Sequence, residues 1–124
     1  MQYTLIVKGR LDNLNDYTSA CRTNQYKGGQ MKAKNENVCK LHIKSQLRGV
    51  RIEKKVYMRY RWFEKDRRRD LDNVSSFGRK VIQDALVECG VLKNDGWKNI
   101  VGFSDDFFVD PKNPRIEVDI EEII

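Results

Sequence analysis

The chain has 124 residues, of which 40% are hydrophobic and 34% are charged, and its net charge is +6. This length supports one hydrophobic core but not two, and the composition excludes a disordered chain. No apolar run approaches the roughly 20 residues of a membrane-spanning helix. The first residues also lack the apolar stretch and cleavage site of a signal peptide, so we expect a single cytoplasmic domain over residues 1–124.

The charge is distributed unevenly along the chain. Residues 1–69 contain 18 Lys and Arg against 6 Asp and Glu, whereas residues 70–124 contain 6 against 12. Basic side chains attract phosphates and acidic side chains hold cations, so this division suits a metal-dependent enzyme that acts on a polyanion. A solvated charged surface explains the same composition without such a function. The three cysteines are odd in number and widely spaced, which argues against a disulfide framework.

The first part of the chain predicts a strand and a short helix. Gln2–Lys8 has the alternation and β-branched content of a strand. A helix is expected to begin at Asn13 or Asn15, because Asn is a good helix cap. We expect Gly28 and Gly29 to end it, since glycine weakens a helix interior.

A longer helix is expected from about Gln30 to Leu47, with Val38 and Leu41 on its apolar face. Several lysines cluster around its beginning, where positive charge opposes the helix dipole. Phosphate binding and simple solvation both explain this cluster. Its members are Lys27, Lys32 and Lys34.

The segment from Lys55 to Glu64 has the clearest strand pattern. Apolar side chains alternate there with arginines and aromatic residues, which places Arg59 and Arg61 together on the second face. Interleaved arginines and aromatics suit a sheet that contacts nucleic acid by charge and stacking. The alternative is a face covered by a helix, with the arginine stems packed between them.

Two aspartates, Asp70 and Asp72, open an amphipathic helix predicted from about Asn73 to Cys89. Neighbouring carboxylates repel each other unless a cation lies between them, so this pair is a candidate metal site. Carboxylate oxygens are the ligands that Mg²⁺ prefers. Ordinary helix capping and compensation of the helix dipole explain the pair equally directly.

Three further side chains extend this candidate site. Lys80 lies eight residues after Asp72, about two helical turns, and therefore returns to the same side of the helix. A lysine there would stabilise negative charge that develops on a phosphate during cleavage. Asp84 lies farther along the helix, and Asp95 lies in the turn after it. Such a carboxylate set suits metal-assisted phosphodiester hydrolysis.

The last part of the chain predicts two strands, Ile100 to Val109 and Arg115 to Ile124, joined by a loop at Pro111 to Pro114 that would allow a hairpin. The predicted order is therefore β-α-α-β-α-β-β. This order favours an α+β fold, with helices packed on a mixed four-stranded sheet in a single domain.

Several motifs recur in an order that resembles the RusA family of Holliday junction resolvases. They are DLDN at Asp70–Asn73, KxxxDAL at Lys80–Leu86, NDGWKNI at Asn94–Ile100 and PRIEVDI at Pro114–Ile120. The likeness extends from about Arg68 to the last residue. It implies a magnesium-dependent, homodimeric endonuclease, with Mn²⁺ as a substitute ion, that nicks four-way DNA junctions symmetrically in recombination and repair.

The resemblance also assigns roles to residues. Asp70, Asp72 and Asp95 match the metal-binding carboxylates of the family, and Lys80 matches its essential lysine. The usual spacing is four residues shorter and, counted forward from Asp72, would place this lysine at Ser76. The lysine and arginine side chains that we expect to contact DNA are Lys27, Lys32, Lys34, Arg59, Arg61, Arg67, Arg68 and Arg69.

One further departure and two alternatives stay open. Many relatives have an aspartate where this chain has Asn94, and Asp84 could substitute for that carboxylate. The first alternative function is a nuclease for other branched DNA, such as flaps and replication intermediates. The second is a catalytically silent protein that binds DNA junctions, in which the carboxylates only cap a helix.

Overall fold

Four strands form one mixed sheet in the spatial order β1-β4-β2-β3 in a computed structural model that describes residues 1–124. Of the two inner strands, β4 is antiparallel to both of its neighbours, β1 and β2, whereas the edge strand β3 runs parallel to β2. The strands are β1 (Gln2–Lys8), β2 (Val56–Glu64), β3 (Ile100–Val109) and β4 (Arg115–Glu122). The predicted α+β fold with a mixed four-stranded sheet is therefore confirmed.

Three helices complete the fold in the predicted order. They are α1 (Leu14–Thr23), α2 (Gln25–Gln46) and α3 (Leu71–Glu88). None of them is long and apolar enough to cross a membrane. All three cysteines are free, as expected from their spacing.

The last two strands do not form a hairpin, so that prediction is wrong. β3 pairs in parallel with β2, as in the register of Met58 with Phe103, and β4 lies on the opposite side of β2. Parallel strands require a crossover connection, and α3 supplies it between β2 and β3. The loop after β3 then passes the end of β2, where the Asp110 backbone nitrogen donates to the Glu64 carbonyl oxygen over 2.7 Å.

The two glycines expected to end the first helix lie inside α2, so that prediction is also wrong. The break falls at Asn24, whose side chain accepts a hydrogen bond from the Lys27 backbone nitrogen and caps α2. Gly28 is buried against α1, and a Cβ atom there would lie 2.5 Å from the Cys21 sulfur. Gly28 therefore allows close contact between the two helices, which outweighs its low helix propensity.

The hydrophobic core lies between the helices and one face of the sheet. Its β2 side chains include Met58 and Trp62, and α3 contributes residues such as Phe77 and Val81. On α2 the buried side is marked by residues such as Ile43, whereas Leu41 is 70% exposed, so its predicted place on the apolar face is wrong. The core holds α3 firmly against the sheet, which fixes the position of the polar residues at its two ends.

Candidate active site

Asp70 and Asp72 lie at the amino-terminal end of α3, which begins at Leu71, two residues before the predicted start. Asp70 occupies the cap position, yet its side chain forms no capping hydrogen bond. Asp72 lies in the first turn and accepts a 2.7 Å hydrogen bond from the Ser76 hydroxyl. Both aspartates are exposed. Side-chain capping therefore does not account for Asp70.

Of the three arginines that precede this pair, two contact other groups. The Arg69 guanidinium donates to the Leu11 carbonyl oxygen over 3.1 Å and lies 3.9 Å from Glu64. Arg68 is exposed, 3.7 Å from Asp66. Arg67 is exposed and has no ion-pair partner. Asp70 and Asp72 therefore keep uncompensated charges beside two accessible arginines.

Asp70 also lines a cleft of about 600 Å³ between the beginning of α3 and the second half of β3. Asp105 and Asp106 line the same cleft. Both carboxylate oxygens of Asp105 accept hydrogen bonds, one from Trp62 Nε1 over 2.9 Å and the other from Arg79 over 2.6 Å. The sequence analysis did not single out Asp105 and Asp106. The signal for them was a pair of aspartates inside a predicted strand, where Asp is normally depleted.

Lys80 and Asp95 contact each other on the outer side of α3. The Lys80 ammonium lies 3.2 Å from an Asp95 carboxylate oxygen and 3.1 Å from an Asp84 oxygen. Lys32 of α2 lies 2.9 Å from the other Asp84 oxygen. Four alternating charges thus run from α2 across α3 to the turn that holds Asp95.

These contacts favour the charged forms of Lys80 and Asp84. Hydrogen bonds to Asp84 and Asp95 raise the pKa of Lys80 above its ordinary value. Partial burial disfavours ionisation of Asp84, but hydrogen bonds from Lys32 and Lys80 outweigh it and lower the pKa of this carboxyl. At neutral pH Lys80 is therefore a cation, suited to stabilising negative charge rather than to removing a proton.

Ser76 is the position to which the shorter family spacing points, and it lies one turn before Lys80. Its hydroxyl donates to the backbone carbonyl and to the side chain of Asp72, both over 2.7 Å. Ser76 and Lys80 therefore contact different aspartates. Only Lys80 carries the charge that the family lysine supplies.

The three predicted ligands, Asp70, Asp72 and Asp95, fit a metal ion in their chemistry but not in their arrangement. Asp70 and Asp72 offer hard oxygen donors without a competing cation, which suits Mg²⁺ or Mn²⁺. No group of three or more His, Cys, Asp or Glu side chains converges closely enough to hold a metal ion. The Asp95 carboxylate is instead bound by Lys80. The donor chemistry thus fits a divalent cation, whereas the side chains do not form a closed site.

The lysines predicted to contact DNA from α2 differ in their surroundings. Lys27 and Lys34 are exposed and have no acidic partner. Lys32 is bound to Asp84 and lies 3.7 Å from Glu36, and the hydrogen bond to Asp84 raises its pKa. Only the first two lysines are therefore free to meet a phosphate.

Arg59 and Arg61 lie on the sheet face opposite the helices. Arg61 donates to Glu117 over 2.9 Å and to Asp119 over 2.5 Å, and Arg59 lies 3.3 Å from Glu121. These partners belong to β4. The core side chains of β2 lie on the other face, where the helices pack, and the Arg59 side chain is 52% exposed, so the alternative of a helix-covered face is wrong. Acids on the neighbouring strand neutralise both arginines, which weakens the case for DNA contact through them.

The comparison with protein families gives one match. A family model described as Endodeoxyribonuclease RusA matches residues 8–121, nearly the whole chain. A search of curated proteins found no match. The family match agrees with the motif resemblance and extends it across the basic first half of the chain.

Proposed function

Because the chain belongs to the RusA family of endodeoxyribonucleases, we propose that it is a divalent-metal-dependent endonuclease that resolves four-way DNA junctions by paired, symmetric nicks. The observation that supports this proposal most directly is the contact between Lys80 and Asp95. The two residues are fifteen positions apart and lie on different elements. The family resemblance assigns both of them to the site on sequence motifs alone.

Asp70, Asp72 and Asp95 would hold the Mg²⁺ or Mn²⁺ ion. When bound, the ion supplies an activated water and neutralises charge on the phosphate. Asp70 and Asp72 are accessible at the end of a helix whose dipole favours anions. Their own charges repel phosphate, so a bound divalent ion would be needed there before the DNA backbone approaches. Asp95 is shared, because Lys80 competes with any cation for its carboxylate.

Lys80 would stabilise the phosphate as its charge grows in the transition state. Its raised pKa keeps it protonated, and its side chain is 58% exposed, so its ammonium can reach a bound phosphate. Asp84 holds the ammonium from the other side and is itself held by Lys32. This arrangement fixes the lysine before DNA binds, and such preorganisation lowers the cost of charge stabilisation.

The exposed cations described above would bind the DNA backbone. Lys27 and Lys34 on α2 and Arg67 and Arg68 before Asp70 have little or no acidic compensation. Phosphate contacts of this kind position a duplex without reading its sequence. A four-way junction has two-fold symmetry, so paired nicks require two copies of the chain related by the same symmetry.

The second candidate function is a silent junction-binding protein. It is favoured by one observation, namely that the three carboxylates do not form a closed metal site. Such a protein binds DNA in a salt-dependent manner. It does not respond to chelation of metal ions, and it cuts nothing.

The test compares cleavage of a synthetic four-way junction, a flap and a linear duplex in Mg²⁺, Mn²⁺ and EDTA. We expect symmetric nicks in the junction with either metal and none in EDTA. Asp72→Asn should abolish nicking and retain binding. Asp16→Asn is the matched control, because Asp16 occupies the first turn of α1 as Asp72 does in α3. Binding without nicking by the wild type would contradict the nuclease proposal; preferential cutting of flaps would change the substrate.

A further inference from the structure

Trp97 is 96% exposed and occupies the turn between Asp95 and β3. Its indole forms no stacking contact, no cation–π contact and no hydrogen bond within the chain. The other tryptophan, Trp62, is buried, stacks on Tyr60 and donates to Asp105. A fully exposed indole contributes nothing to the core, so both its apolar faces and its N–H group are available to a ligand.

The turn that carries Trp97 is held at both ends. The backbone nitrogens of Asn99 and Ile100 donate to the Gly96 carbonyl oxygen over 3.0 and 2.9 Å. Val56 of β2 donates to the Asn99 carbonyl oxygen over 2.9 Å. On the other side, Lys80 binds Asp95. Trp97 therefore lies on a turn that is already ordered. Binding a ligand to the indole would cost little backbone conformational entropy.

The surroundings of Trp97 are suited to a polyanion. Lys93 and Lys98 flank it in the chain, and both are exposed and have no ion-pair partner. Asp95, two residues before it, belongs to the candidate active site. A shallow groove of about 250 Å³ beside the indole is lined by apolar side chains that include Ile100 and Phe103. An exposed aromatic side chain with free cations nearby in the chain is the combination that single-stranded nucleic acids bind.

We propose that Trp97 stacks on a nucleobase of the DNA, next to the phosphodiester that the candidate active site cuts, while Lys93 and Lys98 contact the flanking phosphates. This inference rests on the proposed function. In continuous duplex both faces of a base are stacked on its neighbours, whereas at a branch point a base face can be exposed. Trp97 would therefore favour branched over linear DNA and help to place the cut near the branch.

The test uses the full chain with a four-way junction and a linear duplex of matched sequence, in EDTA so that neither is cut. Trp97→Ala should weaken junction binding about 5- to 150-fold, the range for loss of one stacked base, and weaken duplex binding less. Trp97→Phe keeps an aromatic plane and should retain most of the affinity. Leu41→Ala is the control, because it removes another exposed apolar side chain, 70% exposed on α2, and should leave both affinities unchanged.

Tryptophan fluorescence supplies a second readout. The junction should quench the wild-type emission, and Trp97→Phe, which retains only the buried Trp62, should lose most of this quenching. Unchanged junction affinity in Trp97→Ala, or unquenched Trp97 at saturation, would overturn the proposal. A shift from dimer to monomer in Trp97→Ala would also overturn it, because the indole would then cover a second copy. If the junction binds and quenches Trp97 but is not nicked in Mg²⁺, the proposed nuclease function is wrong and the proposed stacking stands.

Discussion

The Lys80 ammonium lies 3.2 Å from the Asp95 carboxylate and so connects α3 to the turn that follows it. The contact brings together two residues of separate sequence motifs. It also means that any cation that binds Asp95 must share this carboxylate with the lysine. In the proposed reaction Lys80 would therefore act beside the carboxylate of one proposed metal ligand.

Replacing Lys80 with methionine should slow cleavage strongly and leave the fold intact. The side chain is 58% exposed, so its ion pairs contribute little to stability, whereas loss of a donor to the developing charge costs about 10²- to 10³-fold in rate. Single-turnover cleavage of the junction and the melting temperature would measure the two effects. Lys40→Met is the control, because Lys40 of α2 also forms an ion pair with a carboxylate of α3, Glu88, away from the candidate site. A normal rate for Lys80→Met would remove the lysine from the site.

Asp84 should act as a positioning residue for Lys80. Asp84→Asn removes a carboxylate that contacts two lysines, so we expect a lower single-turnover rate, by up to about 10²-fold, with unchanged junction affinity. Asp84→Glu should recover part of the rate. A purely structural role would instead lower the melting temperature and leave the rate constant of the folded protein unchanged.

The order of the elements was predictable because each has a local signal, such as the alternation in β2 or the apolar stripe of α3. The pairing of β3 with β2 was not, since either neighbour satisfies the same alternation and the crossover by α3 decides between them. Gly28 has a low helix propensity, and only its contact with Cys21 explains its place inside α2. Local sequence cannot reveal such contacts between elements.

The candidate site likewise has parts that local sequence predicts and parts that depend on contacts between elements. The DLDN motif predicted Asp70 and Asp72, and the spacing of Lys80 and Asp84 on one helix face is a local feature. The link from Asp84 to Lys32 joins residues of different helices and has no local signal. Arg61 had an aromatic and basic pattern that favoured DNA, but its partners Glu117 and Asp119 come from a strand more than fifty residues away.

The two adjacent glycines of α2 should respond in opposite ways to alanine. Gly29→Ala meets no atom within 4 Å, so it should raise the free energy of unfolding by up to about 1 kcal/mol through helix propensity. Gly28→Ala should lower it by about 1–3 kcal/mol, because the new Cβ would lie 2.5 Å from the Cys21 sulfur. Chemical denaturation measures both values.

A double-mutant cycle with Cys21→Ala identifies the cause of the Gly28→Ala effect. Without the sulfur, the nearest Cys21 atoms are its Cα and Cβ, 3.2 and 3.4 Å from the new Cβ. The cost of Gly28→Ala should therefore fall by more than half in the Cys21→Ala background. An equal cost in both backgrounds would show that the sulfur contact is not responsible.

The ion pairs on the open sheet face should make stability depend on acid pH. A hydrogen bond from Arg61 lowers the pKa of Asp119 despite partial burial of the carboxyl, and Thr4 adds a second hydrogen bond. A carboxyl with a lower pKa in the folded state stabilises the fold above its unfolded pKa, about 3.9, and this contribution disappears as the pH falls through the folded pKa. Asp119→Asn should therefore lower the free energy of unfolding by about 1–3 kcal/mol at pH 7.

Denaturant titrations of the wild type and Asp119→Asn between pH 7 and pH 2 test this expectation. The difference between the two proteins should stay constant down to about pH 4 and shrink below it, because both then present an uncharged group to Arg61. Glu53→Gln is the control, since Glu53 is exposed and has no ion-pair partner, and it should change stability by less than about 0.5 kcal/mol. A difference that persists unchanged at pH 2 would mean that packing or the Thr4 hydrogen bond, rather than the charge of Asp119, stabilises this face.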